Sequence, residues 1–245
     1  MLDHAKHRSV LLEILKDIYS DTTIRTALGF KGGTAAMLAY GLSRISVDLD
    51  FDLLDENKKT VLFETIKTIL NQHGKLREAR EKRHTLFFLM SYEKGQHTIK
   101  IDISKRAGRS EFHLKTFLGI PMLVMNQEDM TAGKLSALLT RKKFAMRDVF
   151  DLWFFLKNKW AINNTVVTEK TGLTIKKALT QAIKKIGAIK KNQALNGLGE
   201  LLDPKQKSWA KDHLIKDTIF HLRLYGELMK KRTIRKYDDQ ARSNN

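Results

Sequence analysis

The hydrophobic pattern of this chain changes near Pro121, and this change constrains the fold more than any other feature of the sequence. Before Pro121, alternating apolar and polar residues predict strands at Val47–Leu53, Thr85–Tyr92 and His97–Ser104. After it, apolar residues recur at helical spacing in Gln127–Arg141, Asp148–Leu156, Ile175–Ile186 and His213–Lys231. Strands followed by helices are typical of the α+β class. We therefore predict an α/β domain over residues 1–120 and a helical domain over residues 121–245.

The composition favours a soluble protein that binds polyanions. Lys and Arg number 45 against 27 Asp and Glu, which gives a net charge of +18. A field of this sign attracts nucleic acid, although a merely well-solvated surface is the alternative. The chain has no cysteine, so disulfides and thiolate metal sites are excluded. It shows neither a signal peptide nor an apolar run of the roughly 20 residues that span a bilayer, and we expect a cytoplasmic protein.

Three aspartates alternate with apolar residues in one predicted strand. Side chains in a strand point alternately to opposite faces, so Asp48, Asp50 and Asp52 are expected on one face and Leu49 and Phe51 on the other. Aligned carboxylates repel one another, and a hard cation such as Mg²⁺ would remove that repulsion. A solvated outer face of an antiparallel sheet is the alternative interpretation.

Two neighbouring patterns favour the cation. Gly32-Gly33-Thr34 lies between a short apolar run and a predicted helix, where glycines and a helix N-terminus suit a phosphate. A plain turn with Thr34 as the helix N-cap is the alternative. In the later strand Ile99–Ile103, Asp102 lies opposite the isoleucine face. A third carboxylate beside an Asp-x-Asp pair is what two-metal phosphoryl transfer requires.

This order of motifs resembles the polymerase-beta-like nucleotidyltransferase superfamily. Its members usually carry Gly-Ser in the first motif, whereas this chain has Gly33-Thr34, which keeps the hydroxyl and adds a methyl group. The longer strings Lys31–Ala35 and Leu42–Phe51 resemble, more specifically, the AbiEii/AbiGii family of toxins from bacterial toxin–antitoxin and phage-defence systems. The resemblance implies a polymerase-beta-like nucleotidyltransferase core, built as a small mixed sheet with helices, followed by a helical C-terminal domain.

A block in the second half is similar to the same family. An acid, a lysine on a helix, an arginine and an Arg-Asp-x-x-Asp-Leu helix start occur in the family's order, and they include Lys134, Arg141, Asp148 and Asp151. Lys134 and Arg141 fall on one helical face. Acids at a helix N-terminus are favoured by the helix dipole, so simple capping is the alternative for the two aspartates.

The resemblance implies roles for individual residues. Metal binding is implied for Asp48, Asp50 and Asp102, with Asp102 also activating the acceptor hydroxyl. Lys134 is implied to contact the NTP phosphates, and Asp148 to belong to the catalytic region. Further NTP contacts are implied for the glycine turn and one nearby arginine: Gly32, Gly33, Thr34 and Arg44.

The predicted function is transfer of a nucleoside monophosphate from an NTP to an RNA acceptor, with tRNA implied by the family, which would block translation. The expected cofactor is Mg²⁺, with Mn²⁺ as an alternative, and a cognate antitoxin is an expected partner. Candidate RNA-binding residues are clustered lysines of the second half: Lys142, Lys143, Lys184, Lys185, Lys190 and Lys191. Nucleotidylation of a small molecule or a protein hydroxyl, and non-catalytic nucleic-acid binding, are the alternatives.

Overall fold

The chain divides into two compact units, residues 1–126 and 127–245. The computed structural model describes residues 3–93, 98–106 and 108–243, the last of these with backbone alone from 232 onward. The division falls after a strand that runs from Ile120 to Met125 and contains Pro121. The first unit thus extends a few residues past the predicted boundary, because this strand pairs with the sheet that precedes it.

The first unit is a mixed sheet with helices. The helices are α1 (His4–Ser20), α2 (Gly32–Tyr40) and α3 (Lys59–His73). The strands are β1 (Leu28–Lys31), β2 (Leu49–Leu53), β3 (Lys75–Glu81), β4 (Thr85–Ser91), β5 (Ile99–Ser104), β6 (Phe112–Phe117) and β7 (Ile120–Met125). Their order across the sheet is β3-β4-β5-β2-β1-β7-β6. β2 runs parallel to β5 and antiparallel to β1, so the aspartate strand lies inside the sheet.

The apolar alternation read from the sequence forms the core of this unit. Ile99, Ile101 and Ile103 of β5 are fully buried, as the alternation predicts. Phe30 and Phe51 pack across β1 and β2 with their ring centroids 5.1 Å apart. Burying an aromatic or branched side chain stabilises the folded state by about 1.5–3 kcal/mol. This burial fixes which face of each strand is left for polar side chains.

The predicted pairing of β4 with β5 is confirmed, and the two strands are antiparallel. Residues 94–96 of the predicted turn lie outside the described residues. The pattern does not predict β3, β6 or β7. β3 and β6 are the two edges of the sheet, and their side chains are mostly exposed or charged, so they lack apolar alternation.

The second unit is helical, as predicted. Its helices are α4 (Gln127–Thr140), α5 (Met146–Lys157), α6 (Asn164–Thr171), α7 (Ile175–Gly187), α8 (Pro204–Asp212) and α9 (Leu214–Ser243). The short helices α6 and α8 are not predicted by periodicity, but their caps are readable. Asn163 accepts hydrogen bonds from two amides at the start of α6, and Asp203 forms a capping box with Gln206 at α8.

Aromatic side chains form part of the core of the second unit. Trp153 of α5 packs against Trp209 of α8 with centroids 4.2 Å apart, and Phe155 stacks on Trp160 at 4.3 Å. All but Trp209 are less than a tenth exposed. Among the described residues of both units, no helix combines the length and the apolar character needed to cross a bilayer.

Candidate active site

The sheet brings Asp50 and Asp102 side by side. β2 and β5 are parallel neighbours, and Asp50 pairs with Asp102 in their register. Because the buried faces of both strands are apolar, the two carboxylates lie on the same opposite face. Residues 52 positions apart in the chain are thus brought to one spot by strand pairing alone.

Asp48 joins them from outside the strand, which corrects the sequence prediction. The strand predicted from Val47 begins at Leu49, because the two preceding carbonyl groups have side-chain partners instead of strand partners. The Asp48 carbonyl accepts a hydrogen bond from the Thr34 hydroxyl, and His7 Nε2 lies 3.0 Å from the Val47 carbonyl oxygen. Asp48 therefore reaches the carboxylate cluster from a loop.

Lys100 lies among these carboxylates, and the sequence pattern gave it no role. Its Nζ is 3.5 Å from Asp48 Oδ2 and 3.4 Å from Asp102 Oδ2. Burial alone would lower the pKa of this ammonium, but the carboxylates of Asp48, Asp50 and Asp102 outweigh burial and raise the pKa above its ordinary value. The position of Lys100 two residues before Asp102, on the same strand face, is the signal that could have identified it.

The carboxylate oxygens fit a divalent cation that binds together with phosphate. Within residues 3–93, 98–106 and 108–243, no group of three or more His, Cys, Asp or Glu is arranged to hold a metal ion by itself. Mg²⁺ commonly takes one or two protein carboxylates and completes its shell with water and substrate phosphates, so a complete protein cage is not required. Asp48, Asp50 and Asp102 have the hard oxygen donors for this kind of binding.

Gly32 allows the backbone to pass against Asp50. It has a φ of +80°, and a Cβ placed on it would overlap the Asp50 carboxylate and lie 3.0 Å from Asp50 Cβ. At Gly33, a Cβ would lie 2.6 Å from Arg44 Nη2 and 2.7 Å from Ser46 Oγ. Both glycines therefore allow close approach at the start of α2, which begins at Gly32.

Thr34 and Arg44, both expected to contact the NTP, have buried side chains. Thr34 is 1% exposed, and its hydroxyl lies 2.9 Å from Ser46 Oγ in addition to its bond with Asp48. Arg44 is 4% exposed, and its Nη1 donates to the Ile45 carbonyl at 2.8 Å. Both side chains hold the loop that leads into β2. The N-cap of α2 is Lys31, so Thr34 is not the N-cap that the alternative interpretation predicted.

Asp52 points to the same sheet face but has a different partner. It forms an ion pair with Lys31 on the neighbouring strand β1. In the strand register, Asp52 lies opposite Gly29 on β1 and opposite Ser104 on β5. This position is two residues along β2 from the Asp50–Asp102 pair. The structure thus separates Asp52 from the three aspartates that surround Lys100.

In the second unit, α4 and α5 are joined by a buried ionic network. Lys134 Nζ lies 2.9 Å from Asp148 Oδ1 and 2.7 Å from Asp151 Oδ2. Arg141 Nη1 contacts the other Asp148 oxygen at 2.5 Å. The Asp148 and Asp151 side chains are at most 2% exposed, so they act as partners of Lys134 and Arg141 and not merely as helix caps.

The six lysines expected to bind RNA are all exposed, but two of them have structural partners. Lys185 of α7 donates to the carbonyls of Leu138 and Leu139 at the C-terminus of α4, at 3.3 and 2.6 Å. Lys191 forms an ion pair with Asp212 at 2.7 Å. The other four candidates, which are all exposed, are Lys142, Lys143, Lys184 and Lys190.

The mixed sheet, the aspartates on adjacent parallel strands and the glycine turn that opens a helix match the nucleotidyltransferase core that the sequence resemblance implies. Residues 13–218 match the family described as nucleotidyl transferase AbiEii toxin, type IV TA system. The match covers most of the chain, so this protein belongs to that family and is a nucleotidyltransferase, which confirms the resemblance, the fold class and the enzyme class. A type IV toxin–antitoxin family implies an antitoxin partner.

Solved structures with the same fold come from Helicobacter pylori. JHP933 is 19% identical, with a TM-score of 0.66, and the match covers 98% of this chain and all (100%) of that one. A second protein, provisionally named a nucleotidyltransferase, is 19% identical with a TM-score of 0.63, and 93% of this chain and 96% of that chain are covered. At this identity the likeness shows a shared fold. A comparison with curated proteins found no match.

Proposed function

We propose that this nucleotidyltransferase moves a nucleoside monophosphate from an NTP to an RNA acceptor, with tRNA as the first candidate, and thereby blocks translation. The reaction is proposed to depend on Mg²⁺, for which Mn²⁺ can substitute. The single observation that carries the chemistry is the register of Asp50 with Asp102, with Asp48 beside them.

Each aspartate has a proposed role. Asp48 and Asp50 hold the divalent cation, which neutralises phosphate charge when bound. Asp102 contributes to the same site and accepts the proton of the acceptor hydroxyl. The hydroxyl oxygen then forms a bond to the α-phosphorus, the bond from that phosphorus to the bridging oxygen breaks, and pyrophosphate leaves with the electron pair.

Lys134 is proposed to contact the NTP phosphates, and Asp148 to position it. The ion pairs of Lys134 with Asp148 and Asp151 restrict where its ammonium group lies. An ammonium is a compact point charge of the kind that binds triphosphates. The glycine turn at Gly32 and Gly33 is proposed to let the phosphates approach the backbone, while the buried Thr34 and Arg44 support that turn.

The RNA acceptor is favoured by charge. The net charge of +18 and the exposed lysines of the second unit suit a polyanionic acceptor better than a small molecule. The proposal is tested by incubating the protein with each α-labelled NTP and total cellular RNA, with Mg²⁺ or with EDTA. We expect label in the tRNA fraction only with the metal. Label on protein or on a small molecule, or no transfer at all, would contradict the RNA assignment.

A further inference from the structure

Lys100 occupies the place in the carboxylate cluster where positive charge is needed. Its ammonium lies within 3.5 Å of oxygens from two of the three aspartates assigned to the divalent cation. These side chains are roughly a quarter to a third exposed: Asp48 23%, Asp102 29% and Lys100 31%. The cluster is thus open to solvent ions, while one of its own residues already neutralises part of its charge.

We propose that Lys100 is an internal counter-cation which competes with the divalent cation for the Asp48 and Asp102 oxygens. This inference rests on the proposed metal site. In the metal-free protein, the ammonium holds the carboxylates together across the loop and β5, and it opposes their mutual repulsion. When a divalent cation binds, two positive charges share the same oxygens and repel each other, so Lys100 weakens divalent binding.

Such competition has a consequence for regulation. The metal-free cluster stays folded and neutralised without a cation, while divalent binding alone is kept weak. The phosphates of an NTP would add negative charge to the carboxylate cluster. This charge would offset the repulsion between the Lys100 ammonium and the divalent cation. Lys100 therefore makes cation binding depend on the nucleotide, and it acts as a positioning residue for the carboxylates.

The test measures Mn²⁺ binding directly, by the loss of the free-ion electron paramagnetic resonance signal, in the absence of nucleotide. Replacing Lys100→Met removes the charge and keeps an unbranched side chain. One unit charge at about 4 Å changes an energy by about 1 kcal/mol even in bulk water, so Mn²⁺ should bind at least about fivefold more tightly. Lys100→Arg keeps the charge and should stay close to the wild-type affinity.

A second measurement separates this effect from a folding defect. In EDTA, Lys100→Met should unfold at a lower temperature than the wild type, because its carboxylates are no longer neutralised. Adding Mn²⁺ should then raise its unfolding temperature by more than it raises that of the wild type.

Lys105→Met is the matched control, because Lys105 directly follows β5 and forms its ion pair with Glu81, outside the aspartate cluster. It should leave Mn²⁺ affinity nearly unchanged. The inference is overturned if Lys100→Met binds Mn²⁺ no more tightly than wild type, including the case in which neither binds it, or if Lys105→Met has an equal effect. The proposed metal site is tested separately by Asp50→Asn, which should lose Mn²⁺ binding. Unchanged binding there would remove the site assignment.

Discussion

At the residue scale, the candidate site depends on Gly32, where the absence of a Cβ atom lets the backbone pass against Asp50. Its φ of +80° and its closeness to Asp50 both exclude a Cβ atom. Gly41, at the end of the same helix, has a φ of +72° but nothing within 4 Å of a Cβ. The two positions therefore separate backbone strain from crowding at the carboxylate.

We predict that Gly32→Ala abolishes activity, whereas Gly41→Ala does not. Alanine at either position costs about 1–2 kcal/mol of stability through its left-handed conformation. Only at Gly32 must Asp50 also move, so Mn²⁺ binding and transfer should both be lost there. Chemical denaturation and transfer assays on the two variants check this, and equal activity of the two would contradict the assigned closeness to Asp50.

The charge on Asp50 provides a second residue-scale prediction. Asp50→Asn should lower transfer by at least about a hundredfold, since even residues that only support metal ligands commonly contribute ten- to a hundredfold. Asp52→Asn is the matched control on the same strand face, and it should retain most activity because Asp52 pairs with Lys31. Circular dichroism of both variants should match the wild type. Complete loss of activity in a folded Asp52→Asn protein would contradict this ranking.

At the scale of elements, α4 and α5 are held together by an ionic network whose two carboxylates are almost fully buried. Lys134 is the partner of two carboxylates that are at most 2% exposed. Removing one partner of a buried pair leaves an uncompensated charge, which is more costly than losing the attraction itself. Lys134 is thus both a candidate phosphate ligand and a structural residue of the second unit.

We predict that Lys134→Met destabilises the protein by about 3–5 kcal/mol, a cost typical of a broken buried pair. Arg141→Met should cost much less, because the Arg141 side chain is 46% exposed and solvent screens its charge. Urea denaturation measures both. Comparable losses of stability would mean that Lys134 is not the central cation of the network. If folded Lys134→Met keeps wild-type NTP kinetics, its proposed phosphate contact is wrong.

At the scale of the whole molecule, the net charge of +18 favours the binding of polyanions such as nucleic acid. Binding of nucleic acid to lysines releases counterions from the phosphates, so the affinity falls steeply with salt. Lys185 and Lys191 already have partners in the fold, and replacing them would mix a structural effect with an effect on RNA binding. The informative set consists of the other four candidates, Lys142, Lys143, Lys184 and Lys190.

We predict that replacing these four lysines with Gln lowers tRNA affinity and reduces the slope of log affinity against log salt by up to about four, one for each phosphate that a lysine no longer neutralises. NTP binding should be unchanged. Lys185→Gln serves as the control, and it should lower the unfolding temperature more than the quadruple variant does. If the quadruple variant modifies tRNA as fast as wild type across the salt series, these lysines do not form the acceptor site.

Much of the fold was available from the sequence because periodicity is a local property. Alternation in Leu49–Leu53 and Ile99–Ser104 determined which side chains are buried, and helical spacing determined the main helices of the second unit. The order of the glycine turn, Asp-x-Asp and the later Asp indicated the superfamily. The longer strings around these motifs indicated the family, which the match over residues 13–218 confirmed. None of these inferences required knowing which segments touch.

Tertiary structure alone decided how those segments meet. Nothing local sets the parallel register that places Asp50 beside Asp102, because it depends on packing between strands far apart in the chain. The same packing brings Lys100 within 3.5 Å of Asp48. It also buries Thr34, whose hydroxyl then supports the loop before β2. Sequence determined the faces that carry the charges, and long-range packing determined which charges share a place, since electrostatic contacts depend on distance in space and not on separation along the chain.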